Sequence, residues 1–338
     1  MDTASVAELK EALYWKPLDD GQKVLCELCP FMCKLAEGRA GPCKVRKNVG
    51  GKLRALTYGR VSSMHLDPIE KKPLFHFYPG SWILSLGTVG CNLSCRLCQN
   101  WTISQEMAPT QDLGPRQAVE LAKRPGNLGI AFTYNEPFIW YEYILDTAPL
   151  VRDAGMKTVM VTNGYASSGP WRRLLRYVDA MNIDVKAITP EFYRKICRAK
   201  LEPVLEAVKM AKEEGVFVEV TNLVVTNWND SDEDLERITD WFASVDPDMP
   251  VHFSRYHPDY LMTEPATPLS TLRKAYEIAR RKLRYVYLGN APGIGGEDTT
   301  CPGCGAVAVQ RLGYSIGKLG VKDGRCIACG YAMPFVGA

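Results

Sequence analysis

The sequence lacks any apolar run approaching the ~18 residues a membrane-spanning helix needs, and no signal peptide is legible in "MDTASVAELKEALYW". Membrane insertion and export are not expected. The chain is read as cytoplasmic, a reducing setting in which disulfides do not persist. A large charge of one sign is also missing. The 41 Lys+Arg and 38 Asp+Glu leave +3, no basic stripe marks a nucleic-acid groove, and "ARRKLRY" reads as a solvated helix end. What is present is ordinary for a soluble globular enzyme: 338 residues, 46% hydrophobic and 23% charged. That is enough for one large domain with small flanking modules.

Near the amino terminus, Ser5 followed by Glu8 has the form of a capping box opening a short helix. The twelve cysteines form three clusters and a singleton: Cys26, Cys29, Cys33 and Cys43; Cys91, Cys95 and Cys98; Cys197; and Cys301, Cys304, Cys326 and Cys329. Such spacing indicates metal chemistry. Between the outer clusters, short β-branched runs alternate with helical patterns. "WILSLGTVG", "LGIAFTY", "KTVMVTN", "AMNIDVK", "VFVEVTNLVV" and "VHFSRY" read as strands. Six such units predict an α/β fold, a parallel, partly closed (β/α)6 barrel, with catalytic groups at the carboxyl ends of its strands. The expected division is a helix and four-cysteine module over 1–80, the barrel over 81–290, and a cysteine ribbon over 291–338.

The first strand delivers "CNLSCRLC" to the barrel mouth. Thiolates suit iron-sulfur clusters and zinc. A [4Fe-4S] cluster usually takes four cysteines, so three in one loop leave an iron for another ligand. A zinc site completed by a distant residue is the other possibility. The C-x₃-C-x₂-C pattern, with "CELCPFMC", "FTYNEP", "VTNGY", "NIDVKAITPEFYRKI" and "HFSRYHP", resembles radical S-adenosylmethionine (SAM) enzymes. Within them it is most similar to the AmmeMemoRadiSam group, related to pyruvate formate-lyase activating enzymes. The resemblance implies that SAM chelates the open iron. A one-electron reductant then drives its cleavage to methionine and a 5′-deoxyadenosyl radical, which abstracts hydrogen from a substrate.

It also implies a SAM site. Glu136, with backbone acceptors at Thr133 and Asn135, would receive the methionyl amino group, although Tyr134 and Asn135 replace the family's glycine pair. Lys186 would meet the carboxylate beside Asp184, the two sharing a face of one strand; a plain structural ion pair is the alternative. Asn163 and His257 would approach the ribose. Leu97 would touch adenine where an aromatic residue is common, with Trp101 as a substitute surface. His252 reads as a satisfied core residue, and Arg255 as a partner for an acidic group. Cys197 reads as a small buried hydrophobe.

The terminal set, "CPGCG" and "CIACG", resembles a rubredoxin-like zinc ribbon, with iron as the alternative. It could cover the barrel mouth or hold a partner. The first set is read as a four-thiolate zinc site in preference to an auxiliary [4Fe-4S] cluster, since a module with so few apolar residues needs a staple. Three functions follow from these readings. One is an enzyme acting with Memo-like and AMMECR-like proteins, another an activase of a glycyl radical enzyme, and the third a zinc-ribbon protein binding nucleic acid.

Overall fold

The computed structural model describes residues 9–18 and 21–338. Its centre is an eight-stranded sheet: β1 (Ser63–Pro68), β2 (Trp82–Gly87), β3 (Asn127–Phe132), β4 (Lys157–Thr162), β5 (Ala180–Asp184), β6 (Phe217–Val224), β7 (Val251–Arg255) and β8 (Val286–Gly289). The spatial order is sequential from β8 to β1. Neighbours from β2 to β8 are parallel, and only β1 runs antiparallel, along β2. Between the parallel strands lie α1 (Pro115–Ala122), α2 (Tyr141–Asp153), α3 (Ser168–Leu175), α4 (Glu202–Glu213), α5 (Asp232–Val245) and α6 (Leu269–Arg280). Strands covered on both faces must be apolar on both, and β2 is buried from Ile83 to Gly87.

All six predicted strands form, and the barrel gains two more. The seventh parallel strand, β8, is a four-residue run after the basic end of α6, and among the described residues no helix follows it. The antiparallel β1 is too polar to read as a strand, since it lies at the sheet edge with His65 and Leu66 exposed. The helices follow local rules. Ser231 accepts from the Asp234 amide at 3.1 Å to start α5, whose Leu235, Ile238 and Phe242 are buried.

The Ser5–Glu8 cap lies outside the described residues. From Leu9 onward the expected helix is absent: Glu11 bridges Arg54, and the Ala12 amide donates to the Leu53 carbonyl at 2.8 Å. Residues 63–80 belong with the barrel. After β1 the chain plugs the amino-terminal end of the strands, where Leu74 and Phe77 pack with Ile83, Ala180 and Phe217. Asn182 donates to the Pro73 carbonyl at 2.8 Å, and Glu219 accepts from the His76 amide at 2.7 Å. The carboxyl-terminal ribbon docks on this plug. Val336 exchanges backbone hydrogen bonds with His76 and Tyr78, Phe335 stacks on His76 at 4.0 Å, and Arg311 donates to the Phe75 carbonyl. It therefore seals the end of the barrel opposite the cysteine loop and does not cover the mouth. Among the described residues, no helix is long and apolar enough to cross a membrane.

Candidate active site

The loop after β2 is held from three sides. Asn135, just past β3, accepts from the Thr88 amide at 3.1 Å and donates to the Gly90 carbonyl at 2.8 Å. Gly90 has φ +89°, and a Cβ there would overlap the Cys43 carbonyl, so the loop can press against the amino-terminal module only because this residue is glycine. From below, the Ser94 and Arg96 amides donate to the carbonyls of Cys197 and Ile196. Cys91 and Cys98 are half-buried and Cys95 is buried.

The residues expected around SAM gather on this loop. Asn163, after β4, points Nδ2 at the Cys91 sulfur (3.6 Å) and at Asn92 Oδ1 (2.9 Å), while its Oδ1 accepts from the Tyr165 amide. Lys186 Nζ and Asp184 Oδ2 are 2.8 Å apart. Burial opposes the lysine's charge, yet Asp184 and the neighbouring Cys95 hold its pKa well above the ordinary value. His257 meets Gln99 at 3.3 Å, Trp101 stacks on Tyr260 at 5.4 Å, and the Leu261 amide donates to the Arg96 carbonyl, so the segment after β7 clasps the loop.

Other predicted residues make contacts within the scaffold. Leu97 is buried in the main core and Thr133 continues the ladder to Leu86. His252 pairs with buried Glu219 at 2.6 Å, and Arg255 donates to the Thr267 carbonyl, not to a carboxylate. Tyr134 sits at φ +74°, a conformation that costs a non-glycine residue roughly 1–2 kcal/mol, which accounts for glycine in the related motif. Its hydroxyl hydrogen-bonds to Asp67 and its ring lies under Lys72, contacts that offset the strain.

Glu136 is buried and already partnered. Its Oε1 accepts from Phe138 N and Thr162 Oγ1, and its Oε2 from Asn163 N at 2.8 Å, joining the ends of β3 and β4. Burial pushes its carboxyl up to about 7 against these hydrogen bonds, of which the one from Asn163 opposes most. A raised carboxyl binds its proton more tightly in the folded chain. Its contribution to stability is thus complete below pH 4.5 and lost as pH rises through about 7. The loss is on the order of 3 kcal/mol. In Glu136→Gln, an amide N–H₂ must face the Asn163 N–H or lose one of the other two donors. That variant should be less stable, and the wild-type advantage in Tm should shrink from about pH 5 to about pH 8. Parallel curves would contradict the assignment.

Cys197 is buried, as its reading as a small hydrophobe expects, but sequence reasoning missed its place beside Cys95. It sits on the π-helical turn Tyr193–Cys197. The neighbouring Cys197, and after it Lys186, hold the Cys95 thiol below its ordinary range against burial. Cys91 is pushed up, first by burial and then by Glu136. The signal available was position: "RKIC" closely follows "DVK", so a short turn returns it beneath the mouth.

Residues 85–242, from β2 through most of α5, match the model of the Radical SAM superfamily. Over 336 residues the chain is 46% identical to the uncharacterized protein MJ0808 of Methanocaldococcus jannaschii, covering 97% of this chain and all of that one. The pyruvate formate-lyase-activating enzyme of Clostridium pasteurianum is 25% identical over 178 residues, half of this chain and 72% of that enzyme. A radical SAM methyltransferase from Sphaerobacter thermophilus shares the fold, with a TM-score of 0.52 at 14% identity over 83% of this chain and 76% of the other. The chain belongs to the radical SAM superfamily. It is an enzyme of radical SAM type, a class that uses an iron-sulfur cluster and SAM.

The donor set suits that cofactor. Among the described residues, Cys91, Cys95 and Cys98 do not draw their sulfurs within 4.8 Å of one another, so they are not gathered about a single ion. The Leu93 amide and Asn163 Nδ2 both point at the Cys91 sulfur, as donors to a thiolate do. The terminal set differs. Cys301, Cys304, Cys326 and Cys329 converge, with sulfurs 3.6 Å apart (Cys301–Cys329) and 3.9 Å apart (Cys304–Cys326). One tetrahedral ion with bonds of ~2.3 Å spaces its ligands about 3.8 Å apart. The two knuckles repeat each other: Gly305 and Gly330, at φ +73° and +75°, donate to the carbonyls of Cys301 and Cys326. The amides of Ala328 and Cys329 help bring the Cys326 thiol down to about 7.

Proposed function

We propose that this enzyme holds a [4Fe-4S] cluster on Cys91, Cys95 and Cys98 and uses SAM to abstract hydrogen from a substrate at the barrel mouth. The observation that carries the reading is the meeting of those three cysteines with Asn163, Glu136, the Asp184–Lys186 pair and His257 at the carboxyl ends of β2 to β7. When bound and reduced, the cluster with SAM supplies one-electron cleavage to methionine and a 5′-deoxyadenosyl radical. The chain's own residues position and shield. Lys186 offers a cation to the SAM carboxylate, with Asp184 fixing its head. Glu136, with Thr133 and Asn135 beside it, offers acceptors to the amino group, and an ammonium there favours the charged carboxylate that burial disfavours. Asn163 supports Cys91, His257 faces the ribose, and the apolar wall near Leu97 takes adenine. An external one-electron reductant is required, and zinc in the terminal ribbon serves structure.

The activating-enzyme relative spans half of the chain, whereas the 46% identical relative spans both cysteine-rich ends. This favours a system other than the simple activating enzymes, and the motif resemblance to the AmmeMemoRadiSam group supports Memo-like and AMMECR-like proteins as its partners. The same similarity to activating enzymes supports a second reading, a glycyl radical enzyme as partner. The test is anaerobic loading, reduction and SAM, with candidate donors supplied deuterated. Deuterium arriving in 5′-deoxyadenosine identifies the donor. A loaded, reduced chain that binds SAM yet never forms 5′-deoxyadenosine would sink the reading.

A further inference from the structure

The amino-terminal cysteines differ in geometry from the terminal knot. Cys26, Cys29, Cys33 and Cys43 all line one pocket. Among the described residues, no three of these sulfurs come within 4.8 Å of one another, while Cys301, Cys304, Cys326 and Cys329 do. The ribbon thus acts as an internal standard for a single-ion site in the same molecule. A four-iron cubane makes the opposite demand. Each sulfur lies one bond of ~2.3 Å outside an iron tetrahedron, so the thiolates stand roughly 6 Å apart with the core between them.

The pocket wall carries two further residues. Arg46 is 2% exposed, and its buried Nε has no hydrogen-bond partner. A cluster with four thiolates is anionic, and sulfur is an acceptor for such a donor. Asn92 comes from the other cysteine loop, next to Cys91. With the Cys43 backbone against Gly90, this makes the pocket a direct neighbour of the SAM site.

We propose that Cys26, Cys29, Cys33 and Cys43 hold a second [4Fe-4S] cluster, fully ligated by protein, where the sequence favoured zinc. The assignment is independent of SAM chemistry, and its test keeps the two apart. The triple variant Cys91→Ala/Cys95→Ala/Cys98→Ala, loaded anaerobically with iron, sulfide and zinc, should retain about four irons per chain, against about eight in the wild type. It should also show a paramagnetic signal on dithionite reduction and bind about one zinc. Cys29→Ala/Cys33→Ala should lose the complementary four irons. Two zinc ions and no iron in the triple variant, or one zinc and no iron, overturns the proposal. If Cys29→Ala/Cys33→Ala fails to fold, the triple variant, whose four amino-terminal cysteines are intact, decides alone.

Discussion

Cys95→Ala should lower 5′-deoxyadenosine formation by about a thousandfold or more, while Cys197→Ala should lower it by only ~10-fold, the smaller effect expected of a residue that supports a ligand. The difference follows from position. Cys95 is the middle thiol of the loop, buried and flanked by the amides of Ser94 and Arg96, which are tied to the turn carrying Cys197. The Cys197 thiol lies against the same sulfur. With Cys95 removed, it is the thiol in reach of the abandoned corner, so the single variant should keep some iron, and Cys95→Ala/Cys197→Ala should lose the iron of this loop. Iron content and 5′-deoxyadenosine yield, measured on the three variants side by side, check the ranking. A Cys95→Ala chain as active as wild type would contradict it.

Glu142→Leu should destabilise the protein by about 3–5 kcal/mol, the cost of breaking a buried ion pair on one side. Arg46 Nη1 reaches both carboxylate oxygens, at 2.9 and 3.1 Å, and the Leu13 amide donates to the same group at 2.7 Å. Both side chains are only 2% exposed. Removing the carboxylate strands a guanidinium away from water between the amino-terminal module and α2. The double variant Arg46→Met/Glu142→Leu should recover much of the loss, because apolar side chains of similar volume carry no desolvation penalty. Urea unfolding of the loaded proteins measures both. Equal stabilities for Glu142→Leu and wild type would mean that the module is not held by this pair.

The parts of this molecule legible in the sequence are those encoded locally. Six strands, the α5 cap at Ser231 and the glycine-turned knuckles each follow from residues close in the chain. The Asp184–Lys186 contact was anticipated from two residues sharing a strand face, but β5 ends at Asp184 and Lys186 meets it from two residues past the strand. What escaped depends on the return of distant chain. Cys197 reaches Cys95 only through the turn after β5, and the Arg46–Glu142 pair joins elements 96 residues apart. The edge strand β1 hides behind its polar outer face. The place of the ribbon depends on the Phe75–Tyr78 plug, whose aromatic residues look like any core segment until β5 and β6 are set beside them. The choice between zinc and a cluster in the amino-terminal set turns on sulfur separations that spacing along the chain does not encode.

The central claim is that the three-cysteine set leaves one iron for SAM. It is tested most directly by electron–nuclear double resonance on the loaded, reduced chain with SAM labelled at its amino nitrogen and carboxylate carbon. Hyperfine coupling of both labels to the cluster is the predicted result, and it should vanish in Cys91→Ala/Cys95→Ala/Cys98→Ala. A fully loaded wild-type chain that binds labelled SAM without coupling would contradict the account.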